Sequence, residues 1–248
     1  MHDTGGPATA ATTGATLRLD VWPHDPTVAL IAPVDHGSPV APDDFDRCVA
    51  TARASGARLA RTGALLPAAA RLVMARGWHP IDELALLAVD LPSGRHRDIA
   101  QPRPGVRTRR LGRRHLRAAA RVDLAAFGPL WALDPAALRA TTTATGRARF
   151  RRVAEPGGPL VGHALTGVSD DIGYLQRLAV HPGRRRRGIA DALVTDALDW
   201  IEGLGCRRAV VNTSVTNVAA LALYRRHGFT ELPERLVVAE SEPFGPGT

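Results

Sequence analysis

The chain has 248 residues, which is enough to bury a sizeable core, and 45% of them are hydrophobic. Its 32 basic residues are all arginine and outnumber the 24 acidic ones, giving a formal charge of +8. No apolar run approaches the ~18 residues of a membrane-spanning helix, and the first residues lack the basic and apolar regions of a signal peptide. Cys48 and Cys206 show no metal-ligand spacing. We therefore expect a cytoplasmic protein with reduced thiols, no bound metal and no membrane partner.

The arginine content is a weak guide to partners. Lysine is absent, arginine is scattered along the chain, and Ala and Gly are abundant, which is a composition that high-GC codon bias produces. The few aromatic residues do not alternate with arginines as in a platform for single-stranded nucleic acid. We do not expect nucleic acid as the main partner. Salt-sensitive binding of DNA or RNA is the alternative prediction for a basic face.

The first third of the chain predicts a small α/β half-domain over 17–91. Residues 1–16 are rich in Thr, Ala and Gly and are predicted to be disordered. Hydrophobic periodicity then predicts strand, helix, strand, helix and strand, over 27–32, 45–54, 58–62, 67–76 and 84–89. A linker rich in Pro and Arg is predicted over 92–104.

The rest of the chain predicts a larger α/β domain over 105–240 and a tail over 241–248. Its first part predicts a strand, two helices and a β-hairpin, over 106–111, 115–126, 135–145 and 148–165. Its second part predicts strand, helix, strand, helix and strand, the strands ending at Val180, covering 208–213 and lying near 236–238. The two helices of this part are predicted to begin near Ile189 and Asn217.

The loop after Val180 carries the strongest chemical signal. It contains a Pro-Gly turn, four consecutive arginines and Gly188, and it leads directly into the helix that begins near Ile189. Backbone N–H groups at a helix N-terminus attract anions, and neighbouring arginines add charge-assisted hydrogen bonds to phosphate oxygens. The Walker lysine motif is absent. The sequence therefore predicts a bound phosphorylated cofactor without nucleotide hydrolysis.

A second motif follows at the last helix. Asn217 is placed to cap this helix, Tyr224 lies two turns later on the same face, and Gly228-Phe229 ends it. This motif and the preceding loop motif, Arg185-x-x-Gly188-x-Ala190, resemble in order and spacing the two motifs of the GNAT superfamily of N-acetyltransferases. The resemblance extends roughly over 104–240 and implies an α/β (α+β) fold with a mixed central sheet flanked by helices.

The resemblance also implies an activity, a cofactor and roles for individual residues. Such a protein transfers an acetyl group from acetyl-CoA directly to a primary amine, with no covalent enzyme intermediate. Tyr224 would protonate the departing CoA thiolate, since a phenol with a pKa of about 10 is protonated at neutral pH. The residues implied to bind the cofactor are Leu178, Ala179, Val180, Arg185, Arg186, Arg187, Gly188, Ile189, Ala190, Asn217 and Tyr224.

The general base and the acceptor remain open at the sequence level. Asp171 is a candidate base, but it lies in a Ser-Asp-Asp-Ile-Gly stretch that predicts a turn, and His163 is interpreted as a strand residue. We assign no base. A small-molecule amine and a peptide N-terminus are both candidate acceptors. The aromatic segment 127–131 is expected to border the acceptor and to favour one with an apolar part.

The half-domain over 17–91 resembles the C-terminal half of the larger domain. Gly77-Trp78 aligns with Gly228-Phe229 at an offset of 151 residues, which places Val73 at the position of Tyr224 and Leu66 at that of Asn217. We interpret the half-domain as a truncated, non-catalytic copy; a chance similarity of short helix–strand pairs is the alternative. A non-enzymatic acyl-CoA sensor is the alternative function, and a homodimer is one assembly that the sequence leaves open.

Overall fold

The computed structural model describes residues 16–34, 39–91 and 105–245. The chain divides into two compact units, the first made of Met1–Leu84 and Glu234–Thr248 and the second of Ala85–Pro233. The predicted linker over 92–104 and all but the last residue of the predicted disordered segment lie outside the described residues. The predicted domain limits stay a prediction, and the two compact units divide the chain at different positions, chiefly at the last strand.

The strands and helices follow one another as the periodicity predicts, with longer strands. The strands are β1 Leu17–Trp22, β2 Asp25–Pro33, β3 Leu59–Thr62, β4 His79–Asp90, β5 Arg109–Arg110, β6 Arg147–Ala154, β7 Leu160–Ser169, β8 Ile172–Val180, β9 Arg208–Ser214 and β10 Thr230–Glu240. The helices are α1 Pro42–Ala54, α2 Pro67–Met74, α3 Leu116–Trp131, α4 Pro135–Thr141, α5 Ile189–Gly203 and α6 Val218–Arg226. Strand β1 was not predicted, and the strand predicted over 106–111 is reduced to two residues.

In the first unit the strand order is β1-β2-β3-β10, followed by the first part of β4. Strands β1 and β2 are antiparallel, and β2 and β3 are parallel, with pairs from Val28–Leu59 to Ile31–Thr62. The core of this unit holds buried apolar side chains from α1, α2 and the sheet, and the rings of Phe45 and Trp78 meet edge to face with centroids 5.1 Å apart.

The second unit is built on a sheet in the order β4-β9-β8-β7-β6-β5. Helix α5 covers one face so closely that a Cβ on Gly173 would lie 2.3 Å from the side chain of Ile201. Helices α3 and α4 form a separate apolar cluster that includes Leu138, with Phe150 of β6 packed against it. This is the predicted mixed sheet flanked by helices. No helix in the described ranges is long and apolar enough to cross a membrane.

The offset of 151 residues coincides with structural landmarks in both units. Leu66 is the N-cap of α2 and Asn217 is the N-cap of α6, while Gly77 and Gly228 both adopt left-handed backbone angles, with φ of 79° and 82°. The strand that follows begins at His79 in one case and at Thr230 in the other. These coincidences support the interpretation of the first unit as a second copy.

Each unit contains part of the strand that follows the last described helix of the other unit. Strand β10 follows α6, yet its residues from Glu234 onward belong to the first unit, where Glu240 pairs with Arg61 of β3. Strand β4 follows α2, yet its residues from Ala85 onward belong to the second unit, beside β9. The predicted limits of 91 and 240 do not match these divisions because strand exchange leaves no local signal in the sequence.

Candidate active site

The centre of the site is a divergence between two parallel strands. Strand β8 pairs with β7 along its length, whereas its described ladder with β9 has only three pairs, ending at Tyr174–Val210. The register with β7 shifts so that Gln176 is an extra residue, which forms a β-bulge. Beyond the bulge, residues 178–180 have β7 on one edge and no described ladder partner on the edge toward β9. Their main-chain groups can therefore bind an extended ligand.

The loop between β8 and α5 is the segment for which the sequence predicts an anion site. His181 Nδ1 accepts a hydrogen bond from the Gly183 N–H at 3.2 Å, and a short 3-10 turn spans Pro182–Arg184. Arg186 and Gly188 have positive φ values of 62° and 78°, and Gly188 is the N-cap of α5. The first N–H groups of a helix have no intrahelical acceptor, so the groups from 188 to 190 are available to an anion.

The arginines of this loop do not all have the same environment. Arg184 forms an ion pair with Glu155, and this contact holds the pKa of the Glu155 carboxyl below its usual range. Arg185, Arg186 and Arg187 are exposed, and Arg185 Nη2 lies 3.5 Å from the Ala126 carbonyl of α3. The three exposed guanidinium groups beside a helix N-terminus fit the charge of a pyrophosphate.

Helix α6 places the predicted proton donor. The side chain of Asn217 caps this helix by accepting from the Ala220 N–H at 3.2 Å, and its Nδ2 donates to Thr213 of β9, also at 3.2 Å. Tyr224 is 4% exposed and packs against Phe229, with ring centroids 5.7 Å apart. Burial raises the pKa of Tyr224, and the nearby charge of Arg177 opposes this rise. The phenol is therefore protonated at neutral pH, as an acid must be.

A buried polar cluster escaped the sequence reasoning. Asp123 of α3 and His163 of β7 are fully buried, and Arg177 of β8 donates to Asp123 from Nε, at 2.9 Å, and from Nη2. His163 Nε2 lies 3.4 Å from Asp123 Oδ2. The available signal was a single acidic residue in the apolar stretch 116–131 and a single arginine in the strand 172–180. A partner 54 residues away cannot be read from local spacing.

The structure separates the candidate base from the loop. Asp171 lies in the predicted turn between β7 and β8, where Arg207 donates to it from Nε at 2.6 Å. Strand β8 extends nine residues from this turn to Val180, about 27 Å at the usual rise per residue. His163, the other residue considered, is a buried strand residue, as interpreted. No base is assigned.

This combination of divergent strands, an arginine-rich loop and a capped helix with a buried tyrosine is the architecture of an acyltransferase domain. Residues 126–229 match the Acetyltransferase (GNAT) family. This part of the chain is a GNAT domain, and the family resemblance predicted from the two motifs is confirmed. In the described residues no group of His, Cys, Asp and Glu side chains is arranged to hold a metal ion.

Two curated relatives match the chain over about a third of its length. One is aminoglycoside N(6')-acetyltransferase type 1 of Klebsiella aerogenes, 35% identical over 32% of this chain and 57% of its own. The other is [ribosomal protein bS18]-alanine N-acetyltransferase of Escherichia coli, 34% identical over 30% of this chain and 50% of its own. The chain thus spans little more than half the length of the curated relatives it matches.

A solved structure extends the likeness to the whole fold. A tandem GNAT protein from the clavulanic acid biosynthesis pathway superposes with a TM-score of 0.66 and 17% identity, covering 94% of this chain and 79% of its own. At this identity the likeness concerns the fold alone. It supports an arrangement of two GNAT-like halves and agrees with the offset of 151 residues.

Proposed function

We propose that the protein is an N-acetyltransferase that moves an acetyl group from acetyl-CoA directly to a primary amine. The observation that carries this proposal is the divergence of β8 from β9 immediately before the arginine-rich loop. An extended chain of amides can lie along residues 178–180, and its pyrophosphate then reaches the N–H groups at the start of α5. One continuous path thus accommodates the two parts of the cofactor.

Each residue of the path has a physical role in this reaction. Main-chain groups of Leu178, Ala179 and Val180 bind the pantetheine amides, and the loop from Arg185 to Ala190 binds the pyrophosphate. Asn217 orients the start of α6 and contacts the cofactor. The amine nitrogen adds to the thioester carbon, and the carbon–sulfur bond breaks as Tyr224 gives its proton to the sulfur. The proton that the nitrogen loses passes to solvent, from which Tyr224 regains its own. Holding both reactants in register supplies much of the rate.

The acceptor is a small-molecule amine or a peptide N-terminus. The names of the two curated relatives give one example of each, an aminoglycoside and a ribosomal-protein alanine. Retention of Tyr224 argues against a pure acyl-CoA sensor, because binding alone requires no proton donor. The enzyme is not expected to need a metal, since the amine attacks the thioester without one.

Calorimetric titration with acetyl-CoA and with free CoA, in moderate salt, tests the cofactor first. We expect micromolar binding that Arg185→Ala weakens about tenfold, through the loss of one charge-assisted contact to phosphate. Arg207→Ala is the matched control, because Arg207 is exposed and paired with Asp171. Absence of binding by the unmodified protein would contradict the proposal.

Release of free CoA then tests the transfer. The assay uses a peptide with a free N-terminal alanine and an aminoglycoside as separate acceptors, with a thiol reagent to detect CoA. We expect thiol release that depends on one of these amines. Acetyl-CoA binding without amine-dependent release from any acceptor in a broad amine panel would favour the sensor.

A further inference from the structure

The last turn of α3 is interrupted by a residue with non-helical backbone angles. Gly128 has φ 74° and ψ 173°, outside the helical region, and Pro129 follows it, so the helix kinks there. We call residues 127–133 the kink segment. It presents Phe127 and Trp131, both partly buried, and the more exposed Leu130. Pro129 has no N–H to donate and Gly128 leaves the helical conformation, so the hydrogen-bond ladder of the helix is interrupted here.

Asp123 supplies this support from inside the helix. Its carboxylate accepts from the Leu133 N–H at 2.7 Å and from two nitrogens of Arg177. Burial alone would raise the pKa of Asp123, but the hydrogen bonds from His163, Arg177 and Leu133 and the charge of Arg177 outweigh it and lower the pKa. The carboxylate therefore stays ionised at neutral pH and joins the far end of the kink segment to β8.

Arg177 holds the same segment at two further points. Its Nη2 donates to the Trp131 carbonyl at 2.7 Å, and its guanidinium carbon lies 3.7 Å from the centroid of the Phe127 ring. Arg177 directly follows the bulge residue Gln176, where β8 has separated from β9. Through Arg177 the kink segment is thus attached to the sheet beside the open strand edge.

The position of this attachment connects it to the substrates. Helix α5 covers one face of β7 and β8, where Gly162 and Gly173 lie directly under its side chains. An amine that meets the thioester at the open edge must therefore arrive from the opposite face. That face is the one to which Arg177 fastens the kink segment, and the charge of Arg177 also acts on Tyr224.

We propose that Asp123 and Arg177 are positioning residues whose buried ion pair clamps the kink segment and thereby sets the affinity for the amine acceptor. The inference rests on the proposed acetyltransferase function. Neither residue needs to touch the acceptor. The clamp fixes one wall of the approach, while the proposed cofactor contacts are the main chain of 178–180 at the open edge of β8 and the loop after it.

Hydrogen exchange measures the clamp without any substrate. Asp123→Asn keeps the shape of the side chain and an oxygen for Leu133 but removes the charge that holds Arg177. We expect amides of the kink segment, including that of Leu133, to exchange about tenfold faster, with α5 unchanged. Asp171→Asn breaks an exposed arginine pair in the same unit and should leave the segment unchanged. Arg177→Lys, which keeps the charge but loses the fork, provides a second variant if Asp123→Asn does not fold.

Kinetics with the amine that releases most CoA then test the role in acceptor binding. In Asp123→Asn we expect the acceptor KM to rise about tenfold and the calorimetric acetyl-CoA Kd to stay within twofold. Arg177→Lys keeps the positive charge and should raise the acceptor KM less than Asp123→Asn does. A merely structural role would weaken both substrates together. Unchanged exchange in a folded Asp123→Asn protein would overturn the clamp. No turnover of any amine by the unmodified protein would overturn the acceptor role together with the proposed function, while the exchange result stands independently.

Discussion

The first unit and the C-terminal half of the second share the order strand, helix, strand, helix, strand, but they differ where two parallel strands meet. In the first unit every residue of β3 pairs with β2, so the strands remain joined along the whole of β3. In the second unit β9 has seven residues, and its described ladder with β8 includes only the first three. The same arrangement thus provides a closed sheet in one unit and a site for an extended ligand in the other.

The helix that connects the two strands of each pair differs between the units in the same way. Helix α1 has Asp43 and Asp44 in its first turn, and Asp44 accepts from the Thr16 N–H and hydroxyl at 3.1 and 2.9 Å. These carboxylates already supply negative charge at the helix N-terminus. Helix α5 instead begins at a left-handed glycine with three exposed arginines before it. Of these two helices, only α5 has exposed arginines beside its N-terminus, and its one first-turn carboxylate, Asp191, is paired with Arg226 at 3.0 Å.

The two units carry formal charges of opposite sign, which the net charge of the whole chain does not show. The segment 85–233 contains 24 arginines and 12 acidic residues, a formal charge of +12, whereas the remainder contains 8 and 12, a charge of −4. Codon bias explains the absence of lysine but not this contrast. The excess of positive charge belongs to the unit for which we propose a phosphorylated cofactor.

We expect the largest effect on activity at Tyr224, where the two units differ because the residue 151 positions earlier in the first unit is Val73. Tyr224→Phe removes only the hydroxyl, so we expect kcat to fall about 10³-fold, within the range for a lost general acid. The acetyl-CoA Kd should stay within twofold. Steady-state kinetics and calorimetry measure the two quantities, and Tyr174→Phe, the change of the other tyrosine, is the control. Unchanged kcat would assign the proton to another donor.

The pair of Asp123 and Arg177 differs from the Arg61–Glu240 pair of the first unit in that its carboxylate is fully buried, so its loss should be visible in stability. Asp123→Asn leaves Arg177 without its counter-charge, so we expect about 3 kcal/mol lower free energy of unfolding at pH 7. Because the pKa of Asp123 is lowered on folding, its contribution is present above the unfolded value of about 3.9 and is lost as pH falls through the folded value.

Urea unfolding at a series of pH values measures this contribution. In Asp123→Asn the fall in stability between about pH 5 and pH 2 should be shallower than in the unmodified protein. Asp171→Asn breaks an exposed pair and should change stability by no more than about 0.5 kcal/mol. Parallel acid curves for the unmodified protein and Asp123→Asn would contradict the assignment.

Two glycines with left-handed backbone angles, Gly188 before α5 and Gly77 after α2, test whether the loop before α5 binds the cofactor. Gly188→Val and Gly77→Val both impose a branched side chain on positive φ, 78° and 79°, and both should lose stability through the same backbone strain. Only Gly188→Val changes the anion site, so we expect it alone to weaken acetyl-CoA binding, by about 30-fold, or about 2 kcal/mol. Calorimetry on the folded fraction measures the acetyl-CoA affinity of each variant. Equal affinities in the two variants would mean that the cofactor phosphates do not bind at Gly188.

We expect the smallest effects from removing the N-cap side chains of two helices. Asn217→Ala removes the cap of α6, and Asp134→Ala removes the equivalent bond at α4, where Asp134 accepts from the Ala137 N–H at 2.7 Å. Each should cost about 1 kcal/mol of stability by thermal or urea unfolding. We expect only Asn217→Ala also to raise the acetyl-CoA Kd, about threefold. An equal change in acetyl-CoA Kd in both variants would show that Asn217 only caps α6 and does not contact the cofactor.

The sequence predicted the local features because neighbouring residues encode them. The asparagine cap, the helix end at Gly228 and the strand–loop–helix order around 172–203 all follow from short-range preferences. Strand β1 was missed because its alternation is short and its partner β2 gives it stability only through pairing. The predicted roles of the cofactor residues and of Tyr224 stay predictions that the geometry supports.

By itself, then, the sequence indicated the family, the order of the elements after β1 and the position of the arginine-rich loop, since each depends on motifs within a few turns of chain. Only the tertiary structure decided where β8 leaves β9, which unit β4 and β10 complete, and that Asp123 meets Arg177 across 54 residues. These features depend on pairing and packing between distant segments. No local spacing determines such contacts, because many registers and partners satisfy the same hydrophobic pattern.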